Sequence, residues 1–366
     1  MFRPIAALPK AHLHLHLTGS MRHATLVELA AQHGVHLPEA LASDWPPQLS
    51  GADERGWFRF QRLYDIARSV VRTEHDVRRL LLEAATDEHA EGSGWLELQI
   101  DPSGYAARFG GLTPLLELVL DAAEDAARHT GVGIAIIVAA NRTRHPLDAR
   151  TLARLAARYA DHGVIGFGLS NDERRGTISD FAPAFRIAAR AGLRLLPHGG
   201  ELAGPGSVRA CLDELHADRI GHGVAAAADP ELLRRLAISQ ITLEVCPTSN
   251  VALGVAATAR DVPLLRLLEA GVRVALAADD PLLFGPRLAE QYELARSVHG
   301  LSDEELAGLA RMSVLGSAAP ADVKGSLLAS IDAWLTSPAA ASTTDRPRRD
   351  GRPAAADGRS GWVSEA

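Results

Sequence analysis

Eight short apolar runs alternate with amphipathic helical stretches along this chain, which predicts an α/β fold of the TIM-type (β/α)8 barrel class. No GxGxxG turn follows an early strand, as an open dinucleotide-binding sheet would require. Four of the runs end in clusters of His, Asp or Glu, at residues 12–16, 198–201, 221–223 and 279–281. Parallel barrels collect their chemistry at such C-terminal strand ends.

The bulk numbers allow this architecture. The chain has 366 residues, 47% apolar and 23% charged, enough for one large barrel or two average domains. A net charge of −7 offers no basic stripe for a phosphate backbone, so nucleic acid is not expected as a partner. No apolar segment is long enough to span a bilayer, and the first residues lack the apolar stretch of a signal peptide. The expected address is cytoplasmic, with no membrane partner. Cys211 and Cys246 both lie in apolar runs and read as buried free thiols.

The first strand, 11–17, contains HLHLH. Alternate residues of a strand share a face, so His12, His14 and His16 are expected to point one way. Three imidazoles in a barrel lumen are costly unless a metal satisfies them, and His14 and His16 lie nearest the C-terminal end. Residues 22–92 are too many for one crossover and read as a helical insertion, including WFRFQRLYDIARSVVR at 57–72. That insertion either builds a lid over the site or packs outside the barrel. Strands are expected next at 95–100, 133–139 and 164–169, with helices at 115–128 and 148–159.

The strand at 193–198 ends at His198, with Glu201 on the following loop or first helical turn. In a closed apolar pocket that carboxyl would be a general acid; alone, it is a helix N-terminal charge. The strand at 219–223 ends in GHG, where two glycines would let substrate or metal approach His222. A helix at 230–236 and a strand at 241–245 follow, and the last strand, 273–277, runs into Asp279 and Asp280 before Pro281 stops it. Helices near 286–297, 302–315 and 326–335 form a C-terminal helical extension. One domain is expected over 1–336, and residues 337–366, lacking periodicity, read as a disordered tail.

His-x-His, His, His and Asp at successive strand ends supply nitrogen and oxygen donors suited to zinc. Two-metal barrel hydrolases usually bridge their metals through a strand-end lysine. The only lysines here, Lys10 and Lys324, stand at no such place, so one metal is expected.

The stretches PKAHLHLHLTGS (9–20), HGGE (198–201), RIGHGV (219–224), LEVCPTSN (243–250) and ADDP (278–281) resemble those of the adenosine/adenine deaminase family of metal-dependent barrel hydrolases, in the same order. The resemblance runs from about residue 9 to 335. It implies one Zn2+ per chain held by His14, His16, His198 and Asp279. It further implies that Glu201 protonates the purine ring, while His222 and Asp280 handle the proton of the attacking water. His16, Thr18, Asn171, Gly200 and Asp280 are the implied substrate contacts. The implied substrate is a small 6-aminopurine nucleoside of the adenosine or deoxyadenosine type, converted to the 6-oxo product and ammonia. The segment after Cys246 is not the PCxxC of the His/Cys/Cys zinc deaminases.

Three positions depart from the family pattern: Thr18 replaces an Asp that contacts the ribose 5′-hydroxyl, His12 replaces a Glu, and GLSNDE (168–173) replaces DLAGDE. A neutral Thr18 would tolerate a substituted 5′ position. Arg59, Arg62 and Arg68 either pair with an anionic substituent there or form a solvated helix face. That makes aminodeoxyfutalosine, of menaquinone synthesis, an alternative substrate. Adenine is another, and amide or ester hydrolysis on the same barrel is a further alternative with less need of Glu201. Oligomeric state is not legible in the sequence.

Overall fold

The computed structural model describes residues 2–51 and 53–337. Eight strands form one parallel sheet in chain order: β1 (Lys10–His16), β2 (Ser93–Ile100), β3 (Gly133–Asn141), β4 (Val164–Ser170), β5 (Arg194–Gly199), β6 (Arg219–His222), β7 (Thr242–Val245) and β8 (Arg273–Leu276). Each bound lies within two residues of the sequence expectation, because apolar β-prone runs broken by Gly, Pro and charge mark strands well. The barrel closes where β1 meets the end of β8. Leu15 pairs with Asp279, the Asp279 N–H donates to the His14 carbonyl at 3.1 Å, and the His16 N–H donates to the Asp279 carbonyl at 3.1 Å.

Register brings the chemical residues together. His198 lies opposite Gly221 and Gly199 opposite His222, so the ends of β5 and β6 are in step. The β1–β8 seam sets His14 and His16 against Asp279.

The stretch between β1 and β2 holds four helices, His23–His33, Glu39–Ala42, Glu54–Ser69 and Glu74–Ala90. The helices of residues 22–92 divide in their packing. Helix Glu74–Ala90 begins in a Thr73–Asp76 capping box and packs on β2 and helix Leu112–Thr130 as an ordinary outer-ring helix. Helix Glu54–Ser69 instead lies over the barrel mouth, lining its cavity with Trp57, Phe60, Gln61, Tyr64 and Arg68. Those positions recur at helical spacing and form one face. After β8, helices Leu288–Ser297, Asp303–Gly316 and Ala321–Thr336 make the C-terminal extension, with Asp303–Gly316 packed on β1 and β8. Apart from Ser337, the expected tail at 337–366 lies outside the described residues. Among the described residues no helix is long and apolar enough to cross a membrane.

The barrel floor is charged rather than apolar. Arg219 is about 1% exposed; it donates from Nε to Glu244 at 2.6 Å, from Nη1 to the Gly316 carbonyl at 3.0 Å, and from Nη2 to Glu97. An arginine without water survives only with such partners. Glu97 also accepts from Trp95 Nε1 at 3.0 Å. The apolar core surrounds this floor, between the sheet and the outer helices.

Candidate active site

At the C-terminal barrel mouth the His14, His16 and His198 ring nitrogens lie within 4.8 Å of one another. Asp279 Oδ1 is 3.2 Å from His16 Nε2 and 3.6 Å from His14 Nε2. His14 Nε2 is buried with no hydrogen-bond partner, a costly state unless a cation accepts its lone pair. Burial pushes the His14 imidazolium down, yet Asp279 and Glu244 pull it up to about 10. Burial and the neighbouring imidazoles hold His198 well below its ordinary value. The cluster therefore combines a demand for positive charge with a neutral imidazole, and fits a borderline divalent cation.

His12 does not join this set. Its Nδ1 is 2.7 Å from Glu88 on helix Glu74–Ala90, and its Nε2 accepts from the Ala278 N–H at 3.0 Å. The pairing of β1 with β2 slips between His12 and Leu15. The preference for His14 and His16 over His12 agrees with this placement, whereas the expectation that His12 shares their orientation meets a break in the strand pairing.

Asp279 has a φ of 63°, in the left-handed region, where non-glycine backbone costs about 1–3 kcal/mol. Its Oδ2 accepts from the Ser249 hydroxyl at 2.6 Å, which aims Oδ1 at the imidazoles. On the far side of His14, Nδ1 donates to Glu244 Oε2 at 2.7 Å, which leaves Nε2 free to face the cluster. Burial pushes the Glu244 carboxyl up, but Arg219 and His14 hold it at about 2. Glu244→Gln is expected to weaken metal binding about 10–100-fold. Chelator competition measures this, and an unchanged affinity would reduce Glu244 to a packing residue.

Glu201, on the loop after β5, is about 9% exposed. Its Oε2 lies 3.6 Å from His222 Nε2 and its Oε1 has no partner. Burial, reinforced by the negative charge of Asp279 and Glu173, holds this carboxyl well above its usual range. Burial and Asp279 do the same to Asp280, while Asp279 is driven well below its usual range, by hydrogen bonds from His14 and His16 that outweigh burial. Neighbouring carboxyls with affinities pushed apart can divide proton donation from cation binding. Burial lowers His222 to about 4 despite the pull of Asp279, leaving a neutral imidazole.

The cavity above these groups is lined by His16, Asn171, His198, Glu201, His222, Asp279 and Asp280, with Tyr64, Arg68 and Tyr105 on another wall. Two of the expected substrate contacts, Thr18 and Gly200, are not among its lining residues. Thr18 is buried, with its hydroxyl bonded to Tyr105 Oη, and Tyr64 also approaches that hydroxyl. Gly200 has a φ of 74°, and a Cβ there would meet Val208 at 2.4 Å, so it shapes the loop. Asn171 sits at a φ of 80°; its Oδ1 accepts from Trp57 Nε1 at 3.2 Å and its Nδ2 donates to Gln61 at 2.9 Å. Of the three arginines, only Arg68 lines the cavity, stacked over the Tyr64 and Tyr105 rings at 5.8 and 5.9 Å from their centroids. Arg59 and Arg62 are exposed, as on a solvated helix face.

The sequence reading missed Glu173, Glu244, Ser249, Tyr64 and Tyr105. Glu173 lies in GLSNDE, and Glu244 and Ser249 lie in LEVCPTSN, so each sat inside a stretch already singled out. Nothing local marked the tyrosines.

Residues 9–334 match the family model described as adenosine deaminase. The chain is 65% identical over 337 residues to a Streptomyces coelicolor protein named "Putative adenosine/adenine deaminase", covering 91% of this chain and 98% of that one. It is 36% identical over 340 residues to the aminodeoxyfutalosine deaminase of Streptomyces avermitilis, covering 90% and 93%. Among solved structures, the adenine deaminase of Arthrobacter aurescens superposes with a TM-score of 0.83 at 30% identity, covering 90% of this chain and 99% of that one.

Proposed function

The chain belongs to the adenosine deaminase family, and on that premise we propose that it is a one-zinc hydrolytic deaminase replacing the 6-amino group of a purine by oxygen. The observation that carries this reading is the buried, proton-holding Glu201 carboxyl beside His222, on the same cavity wall as the metal-demanding cluster. The donors would be His14, His16, His198 and Asp279. The chemistry that a zinc held by these residues would supply is acidification of water, from a pKa of ~15.7 to ~7. Glu201 delivers a proton to the ring nitrogen beside C6 and makes that carbon electrophilic. His222, a neutral imidazole, takes a proton from the attacking water and returns one to the leaving amine, while Asp280 steers that water. Oxygen stays on C6, one water proton departs in ammonia, and the other replaces the proton Glu201 gave to the ring.

We take free adenine, rather than the nucleoside the resemblance implies, as the substrate. The family resemblance puts the residue that contacts the ribose 5′-hydroxyl at position 18, but the Thr18 hydroxyl is already bonded to Tyr105. Burial pushes the Tyr105 hydroxyl up to about 12, so it stays a neutral partner in this wall. Of the three arginines that could pair with the anionic group of aminodeoxyfutalosine, Arg59 and Arg62 face solvent and only Arg68 lines the cavity, which weakens the case for that substrate.

The test is ammonia release by zinc-loaded protein, with kcat/KM compared for adenine, adenosine, 2′-deoxyadenosine and aminodeoxyfutalosine. Adenine is expected to give the highest value. A preference for adenosine would remove the closed wall and keep the reaction. No ammonia from any of the four would remove the deaminase reading.

A further inference from the structure

We propose that Glu173 is the positioning residue that holds the Glu201 loop in register for proton transfer, a role that rests on Glu201 being the proton donor. Glu173 follows β4 and is about 7% exposed. Its Oε1 accepts from the Gly200 N–H and the Ser207 hydroxyl, both at 2.6 Å. Its Oε2 accepts from the N–H groups of Glu201 at 2.7 Å, Leu202 at 2.5 Å and Ala203 at 3.1 Å.

Four consecutive amides, 200–203, thus converge on one carboxylate. They lie between the end of β5 and the helix Pro205–Glu214, where neither a strand ladder nor a helix supplies acceptors. Buried amides without an acceptor are costly, and bonds to a carboxylate are stronger than neutral ones. The Gly200 carbonyl accepts from the Ala225 N–H at 2.9 Å, so the loop is gripped from both sides.

The Glu201 side chain has no comparable restraint of its own, with Oε1 unpartnered and Oε2 3.6 Å from His222. Its place in the cavity therefore follows from its backbone, and the backbone follows from Glu173. Glu173 is itself fixed by a braced turn: Arg174 Nε bonds to Asp172 at 2.7 Å and Arg174 Nη1 to the Gly51 carbonyl at 3.0 Å.

The experiment compares Glu173→Gln, Glu201→Gln and the double variant, with metal content and amide exchange read on each zinc-loaded protein. A glutamine at 173 turns one acceptor into a donor facing N–H groups. In Glu173→Gln, kcat is expected to fall about a hundredfold, the scale of a misplaced catalytic group, with KM and zinc content little changed. Amides 200–203 should exchange faster, and the double variant should be no slower than Glu201→Gln alone. Wild-type kcat in Glu173→Gln, or losses that multiply in the double variant, would overturn the proposal. Undisturbed exchange at 200–203 would overturn it independently of any activity. Full activity in Glu201→Gln would strike the reading of Glu201 as donor, while the exchange data would still decide the clamp. If Glu173→Gln does not fold, Ser207→Ala removes one of the five donors, and an unchanged kcat there would count against the proposal.

Discussion

Asp279→Ala is expected to yield folded protein that retains no metal and releases no measurable ammonia. Among the described residues the Asp279 side chain is the only carboxylate placed against both His14 and His16, at 3.6 and 3.2 Å, and without it the three crowded imidazoles would offer a cation no carboxylate ligand. The fold should survive, because the hydrogen bonds that close the barrel here use the Asp279 backbone, which alanine keeps. Alanine at a φ of 63° carries a strain of about 1–2 kcal/mol, much of which Asp279 already bears, so the substitution adds little. Metal content per chain after dialysis and ammonia release together check the outcome. A fully loaded, active Asp279→Ala protein would contradict the assignment.

Glu201→Gln is expected to behave oppositely on one axis and alike on the other. It should keep its metal, since Glu201 stands outside the proposed donor set, yet lose about two to four decades of kcat, the usual contribution of a general acid. Glutamine matches the shape of the acid and fills the same cavity wall but has no proton to give. An enzyme cleaving amides or esters has less use for a ring-nitrogen donor, so activity retained in this variant would favour that reading. The two variants thus separate metal binding from proton delivery.

Local motifs at strand ends made most of this site legible. His14, His16, His198, His222, Asp279 and Asp280 each end an apolar run, and a parallel barrel brings such ends together without any knowledge of tertiary detail. Long-range partners were invisible for the same reason: Glu244 is 230 residues from His14, and Glu173 lies 27 from Gly200. The strict two-residue period misled at His12, where the strand register slips. Helical phase would have sorted the arginines, since Trp57, Phe60, Gln61, Tyr64 and Arg68 share the cavity face and Arg59 and Arg62 lie off it.

One residue serves two masters at the β1–β8 seam. The Asp279 main chain closes the barrel through the His14 carbonyl and the His16 N–H, on either side of Leu15, while its side chain leans on those two imidazoles. Any cation bound there is therefore also a rivet across the joint where the first and last strands meet. Occupancy and architectural integrity become linked quantities, each raising the other by mass action. A cell starved of the metal would then lose more than turnover, because the empty barrel would be the one whose hoop is easiest to spring.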